Sequence, residues 1–129
     1  MVVDASIAVE LLLNTARGER LAARLGDGLE PICAPHLIDL EVANALRRYV
    51  ARGRLSAESA EEALEHWRRL DVERHPHEAY LSRIWELRDN VSSYDAAYVA
   101  LAEALSTTLV TGDRRLAGAP GTRARIDLL

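Results

Sequence analysis

Lysine is absent from this 129-residue chain; all 16 basic residues are arginine. A response-regulator receiver domain has similar length and strand-end acids, but it needs a lysine near its phosphoryl site and is excluded. Neither G-x-G-x-x-G nor G-x-x-x-x-G-K-[ST] occurs, so nothing supports a nucleotide-binding α/β domain. Cysteine occurs once, as Cys33, which rules out an internal disulfide and fits a reducing compartment. Within "PICAP", Cys33 reads as a small core residue rather than a reactive thiol. No apolar run is long enough to span a bilayer. The N-terminus also lacks the basic flank and long apolar run of a signal peptide, so a cytoplasmic protein with no membrane partner is expected. Positive charge is scarce as well: the net charge of −4 is not the footprint of a non-specific nucleic-acid binder. A GC-rich genome accounts for the arginine bias, yet the planar guanidinium fork is the better phosphate ligand. Phosphate binding therefore stays open.

What is present is a folded chain. Hydrophobic content of 49% and charged content of 28% exclude disorder, and the length fits one domain over residues 1–129. There is no internal repeat, low-complexity segment or linker. Short apolar runs alternate with helical patterns. "VVD" reads as a strand, "SIAVELLL" as a helix, and "ARGERLAARLG" as a second helix ended by Gly26 and Gly28. "PICA" is a strand bounded by prolines, and His36 to Arg52 reads as a long helix stopped by Gly53. Ser56 reads as the N-cap of "SAESAEEALEHWRRL", whose early acids and late arginines suit the helix dipole. "DVERH" is a strand, "HEAYLSRIWELRDN" a helix, and "YDAAYVALAEAL" a helix apolar enough to be largely buried. "TLV", "DRRLAG" and "RIDLL" close the chain as strand, short helix and strand. This alternation predicts an α/β layered fold with a mainly parallel central sheet. Ligands bind such sheets outside the carboxyl ends of the strands, where Asp4 and Asp113 fall.

Each acid taken alone has a structural reading. Asp4 can cap the helix that starts near Ser6, and Asp113 can cap "RRLAG". Asp95 stands three residues after Ser92, at capping-box spacing. Glu41 is harder to place. At 100° per residue its neighbours around the helix are Leu37, Ile38, Asn44, Ala45 and Arg48, while Asp39 points almost the opposite way. A carboxylate on an apolar arc is costly unless paired or bound to metal. An i,i+7 contact to Arg48 bridged by Asn44 would also satisfy it. If the four acids converge, their repulsion requires a cation, and oxygen-only ligation suits Mg²⁺ or Mn²⁺. That chemistry is phosphodiester cleavage.

The segments "VVDAS", "LIDLEVANALRR", "SSYDAAYVALAEAL" and "LVTGDRRL", in this order, resemble the PIN-domain family, in particular the VapC toxins of bacterial toxin–antitoxin pairs. The resemblance covers essentially the whole chain. It implies a PIN-like three-layer fold, a parallel sheet flanked by helices, and a metal-dependent endoribonuclease. It also implies a homodimer and a separate antitoxin chain that holds the enzyme inactive. Carried onto this sequence, Asp4 and Asp95 would be the principal ligands of Mg²⁺ or Mn²⁺. Glu41 and Asp113 would complete the metal and catalytic site by positioning a water or a second ion. Thr111 would give polar support, and Ser6 would help orient Asp4. Gly112 departs from the commoner small residue at its position, and no further acid follows Asp113 closely.

Arg114, Arg115 and Arg48 are candidate RNA-phosphate ligands beside the acids; dipole pairing and solvation account for them equally well. The four histidines form no recognisable zinc spacing and read as surface residues. Trp85, flanked by Ile84 and Leu87, reads as core, whereas Trp67 fits core or interface. The alternative to an enzyme is a catalytically silent module of the same fold, whose acids engage a protein partner.

Overall fold

The computed structural model describes residues 1–26 and 31–129. Gly26 ends the second helix; Gly28, expected to do so with it, lies outside the described residues. Five strands form one sheet: β1 (Val2–Val3), β2 (Ile32–Pro35), β3 (Val72–His75), β4 (Leu109–Thr111) and β5 (Ile126–Leu128). Their order is β3-β2-β1-β4-β5, and every adjacent pair is parallel. The helices are α1 (Ala5–Leu12), α2 (Ala16–Leu25), α3 (Ile38–Ala51), α4 (Ala57–Arg69), α5 (Leu81–Glu86), α6 (Ser93–Ala104) and α7 (Arg114–Ala117).

The sequence of the two central strands explains their place. Val2, Val3, Leu109 and Val110 are all buried. Successive side chains on a strand point to opposite faces, so burial of both members of each pair means that helices cover both faces of the sheet. This is the expected three-layer α/β arrangement. Helix α6 is buried without a break from Ala96 to Ala102 and packs against β1, β2 and β4. Its alanines let the helix axis approach the sheet closely.

Topology fixes where a ligand can enter. From β1 the chain steps outward to β2 and β3, then returns to the other side of β1 for β4 and β5. The crevice at the carboxyl ends of β1 and β4 is therefore the switch point of the sheet. Register aligns Val2 with Leu109 and Val3 with Val110. The next residue on each strand, Asp4 and Thr111, is thereby brought to the same crevice.

One tryptophan departs from expectation. Trp85 is 68% exposed, with the Arg88 guanidinium stacked 5.2 Å from its ring centroid. Helical spacing is the reason. Ile84 and Leu87, three apart, face the core, which leaves Leu81 and Trp85, four apart, on the outer face. Apolar neighbours in sequence misrepresent which face Trp85 occupies. Trp67 is buried instead, and its Nε1 donates to Asp39 Oδ1 at 2.7 Å. His36, His66 and His77 are exposed, but His75 on β3 is half-buried, against the surface reading.

Two ion pairs tie elements together away from the crevice. The Arg74 guanidinium on β3 donates to both oxygens of Asp39 on α3, at 2.8 and 2.9 Å, and stacks on Trp67. Arg83 on α5 donates to Glu103 on α6 at 2.7 and 3.0 Å, and Glu103 also accepts from the Arg123 backbone N–H. The Arg74 hydrogen bonds hold the Asp39 carboxyl below its ordinary range. Burial raises Glu103, but Arg83 and the Arg123 N–H outweigh it, so its carboxyl also sits low.

A carboxylate held low when folded adds stability above its unfolded pKa and loses it as pH falls through the folded value. Unfolding free energy should therefore decline below about pH 4. Glu103→Gln should cost about 2 kcal/mol at pH 7, a fall in Tm of roughly 5–8 °C, and should flatten that acid dependence. Thermal melts of both proteins across pH 3–7 check both expectations, and identical profiles would remove Glu103 from the account.

Candidate active site

The crevice opens into a cavity of about 780 Å³ that all four sequence-predicted acids line: Asp4, Glu41, Asp95 and Asp113. Arg48 stands on its wall. Leu40 and Tyr94 also line it and are largely exposed, at 76% and 65%.

Asp4 is the most constrained of the acids. Only 6% exposed, it accepts from the Ser6 hydroxyl (2.7 Å) and the Ile7 N–H (3.1 Å) on Oδ1, and from the Thr111 hydroxyl (2.6 Å) on Oδ2. The Ile7 contact makes Asp4 the N-cap of α1. Ser6 and Thr111 are held in turn, since Ser6 Oγ accepts from the Gly112 N–H and Thr111 Oγ1 from the Asp113 N–H. Thr111 is completely buried behind Asp4 rather than on the cavity wall. Burial pushes the Asp4 carboxyl up, hydrogen bonds from Thr111, Ser6 and Ile7 oppose that, and the Asp95 charge adds to the rise.

Glu41 enters from α3, half-buried. Its Oε2 accepts a 2.6 Å hydrogen bond from the Tyr98 hydroxyl on α6. Asn44 does not bridge it to Arg48, because Asn44 Oδ1 accepts from Arg47. Burial raises the Glu41 carboxyl, the Tyr98 bond lowers it, and the charges of Asp95 and Asp4 raise it again. Burial and the Glu41 charge drive the Tyr98 phenol far upward, so that hydroxyl stays protonated and can only donate to Glu41. Tyr98 was missed in the sequence, although it stands three residues after Asp95 within the buried run of α6.

Asp95 lies in the first turn of α6. Its backbone N–H donates to Ser92 Oγ (3.1 Å), and the same hydroxyl donates back to Asp95 Oδ2 (2.8 Å). Asp113 caps α7 by accepting from the Arg115 N–H at 2.8 Å. Burial raises its carboxyl, but the Arg115 contacts win and hold it low. Capping and convergence thus coexist: Asp4, Asp95 and Asp113 each sit at the start of a helix, and three positive dipole ends face the same cavity. Arg115 is 92% exposed and pairs with Asp113 at 3.4 Å; neither it nor Arg114 lines the cavity.

Two acids raised by burial and by their neighbours mark a site short of positive charge. Its donors are oxygens alone, the set preferred by Mg²⁺ and Mn²⁺. Among the described residues, no three of these carboxylates bring ligand atoms within 4.8 Å of one another. A cation there would have to be reached through bridging waters or by movement of the side chains toward it.

A family profile described as PIN domain matches residues 1–121. The chain is 50% identical over 116 residues to Ribonuclease VapC9 of Mycobacterium tuberculosis, covering 90% of this chain and 87% of that protein. Among solved structures, PAE2754 from Pyrobaculum aerophilum aligns with a TM-score of 0.71 at 27% identity, covering 98% and 87% of the two chains. VapBC2 from Rickettsia felis, solved with a DNA fragment from their promoter, shares the fold with a TM-score of 0.69 at 15% identity, covering 98% and 96%.

Crowded charge makes a stability prediction. A raised carboxyl binds its proton more tightly when folded, so its unfavourable contribution is present above the folded pKa and relieved as pH falls. Burial, the larger cause, stays in place, so Asp95→Asn should relieve only the charge repulsion and raise the Tm of the metal-free protein at pH 7 by about 1–2 °C. The gain should shrink as pH falls and the raised carboxyls take up protons. Calorimetry in EDTA at neutral and acid pH reads it, and a lower Tm for the variant at pH 7 would show that the place of Asp95 beside Ser92 in the first turn of α6 outweighs the repulsion.

Proposed function

The chain belongs to the PIN-domain family, among its VapC members, and we propose that it is a metal-dependent endoribonuclease, the toxin of a toxin–antitoxin pair. The observation that carries this reading is the convergence of four carboxylates, two of them raised by burial and mutual repulsion, at the switch point of a parallel sheet. Asp4 and Asp95 would hold Mg²⁺ or Mn²⁺, with Glu41 and Asp113 completing the site. Bound there, the cation supplies Lewis-acid stabilisation of phosphate charge and lowers the pKa of water.

The protein's own groups do the rest. Ser6 and Thr111 fix Asp4, and the Ile7 N–H prevents it from rotating away. Tyr98 orients Glu41, whose raised carboxyl is suited to accept a proton from an attacking water. Asp113 steadies that water from the β4 side. Arg48 on the wall, and Arg114 and Arg115 outside it, draw the RNA backbone toward a site whose net charge would otherwise repel it.

The same reading makes the protein cytoplasmic, homodimeric and silenced by a separate antitoxin chain. Support for the partner comes from the R. felis VapBC2 neighbour and from the VapC ribonuclease named above. No described helix is long and apolar enough to cross a membrane.

Two experiments test the proposal. Wild type and Asp95→Asn, free of antitoxin, are incubated with labelled total RNA from the host in Mg²⁺, in Mn²⁺ and in EDTA. Discrete fragments should appear with wild type and metal alone. Silence in every lane from folded protein would favour a binding module that engages a partner through the same acids. Separately, Arg114→Ala/Arg115→Ala should weaken RNA binding and reduce the slope of log affinity against log salt by about 1–2. An unchanged slope would restrict both arginines to the α7 terminus.

A further inference from the structure

Strands β2 and β3 bring a sulfur, a nitrogen and an oxygen together on one face of the sheet. Cys33 lies directly across from Glu73 in the parallel register, and Pro35 across from His75. Side chains alternate along a strand, so Glu73 and His75, two apart, share a face. Cys33 joins them there. Its thiol lies 4.0 Å from Glu73 Oε2, and His75 Nε2 lies 3.3 Å from Glu73 Oε1. One ligand atom from each of the three falls within 4.8 Å of the other two, the only such group among the described residues.

His75 supplies the second observation. Its Nε2 is buried and makes no hydrogen bond, because Glu73, although close, is out of line with the ring N–H. Cys33 is buried and has only long contacts, to Glu73 and to the Pro31 carbonyl at 3.9 Å. The buried His75 Nε2 thus lacks a hydrogen-bond partner, the buried Cys33 thiol has only long ones, and the exposed Glu73 carboxylate beside them is free to close over a third party.

We propose that Cys33, Glu73 and His75 form a Zn²⁺ site separate from the carboxylate cavity, whose lining includes none of them. Thiolate, imidazole and carboxylate are the ligands Zn²⁺ takes, and metal–ligand bonds of about 2.0–2.3 Å in a tetrahedron place ligand atoms roughly 3.3–3.8 Å apart. The 3.3 and 4.0 Å contacts run to different oxygens of Glu73, and with one atom from each residue already within 4.8 Å of the others, small side-chain shifts bring three ligand atoms to that spacing. A water completes the fourth position. On binding, the Cys33 thiol gives its proton to solvent and His75 binds as the neutral imidazole. Soft and borderline donors select against Mg²⁺, so the two sites sort cations by ligand chemistry. Among the described residues β3 is an edge strand that pairs only with β2, and the ion would cross-link the two.

Co²⁺ is the probe, because a thiolate–cobalt bond gives an ultraviolet charge-transfer band that oxygen-only ligation cannot. The full chain, kept reduced, should develop the band with one equivalent of Co²⁺. Zn²⁺ should displace the cobalt, and excess Mg²⁺ should not. His75→Gln, at a half-buried strand position, should weaken binding by about tenfold or more; Cys33→Ser should abolish the band. Asp95→Asn, in the other site, should leave the band intact. No band from folded wild type, a band unchanged in His75→Gln, or a band lost in Asp95→Asn would each overturn the proposal.

Discussion

The register of β4 beside β1 is the constraint on which the acidic cavity depends. It puts Thr111 next to Asp4, so that a buried hydroxyl can donate to a buried carboxylate at 2.6 Å. Thr111 also accepts the Asp113 N–H, and Ser6 accepts the Gly112 N–H, which locks the two strand ends to each other through side chains. Without that clamp Asp4 would be a desolvated charge with only a helix cap to hold it. With it, the carboxylate keeps a fixed direction despite the repulsion from Asp95. The molecule holds these charges together through hydrogen bonds to Asp4 and Glu41.

Arginine serves two unrelated purposes here. Arg74 and Arg83 form forked contacts with Asp39 and Glu103 that join elements inside the fold, and Arg24 pairs with Asp127 at 2.9 Å to hold α2 against β5. Those guanidiniums are occupied by the protein itself. Arg17 donates to the Gly112 carbonyl near the cavity, Arg48 lines it, and Arg114 and Arg115 follow its last acid. A negative chain can thus still present cations on the one side where phosphate would approach.

Much of this was legible in the sequence, for physical reasons. Short β-branched and leucine runs such as Val2–Val3 and Leu109–Val110 announce strands buried on both faces, and 100° spacing alone puts Glu41 on the inner face of α3 while Asp39 leaves on the other. Asp4, Asp95 and Asp113 read two ways in the sequence because the readings are compatible: Asp4 and Asp113 cap α1 and α7, Asp95 follows the Ser92 cap of α6, and all three line the cavity. What stayed hidden depends on which strand lies beside which. No linear spacing connects Tyr98 to Glu41, Arg74 to Asp39, or Cys33 to His75, since each pair meets only through sheet register or helix packing. Trp85 was misplaced because its neighbours in sequence, Ile84 and Leu87, occupy the opposite side of the helix.

The order of the strands also sets a clock. Ser6 and Ile7 follow Asp4 directly, yet Thr111, which holds its other oxygen, arrives with β4, 107 residues further along the chain. Pairing so distant in sequence is slow to form and comes late in folding. A nascent chain therefore carries Asp4 through the synthesis of everything from α1 to α6 with no cavity around it. Whatever chemistry the acids perform is withheld until β4 has been made and has paired with β1.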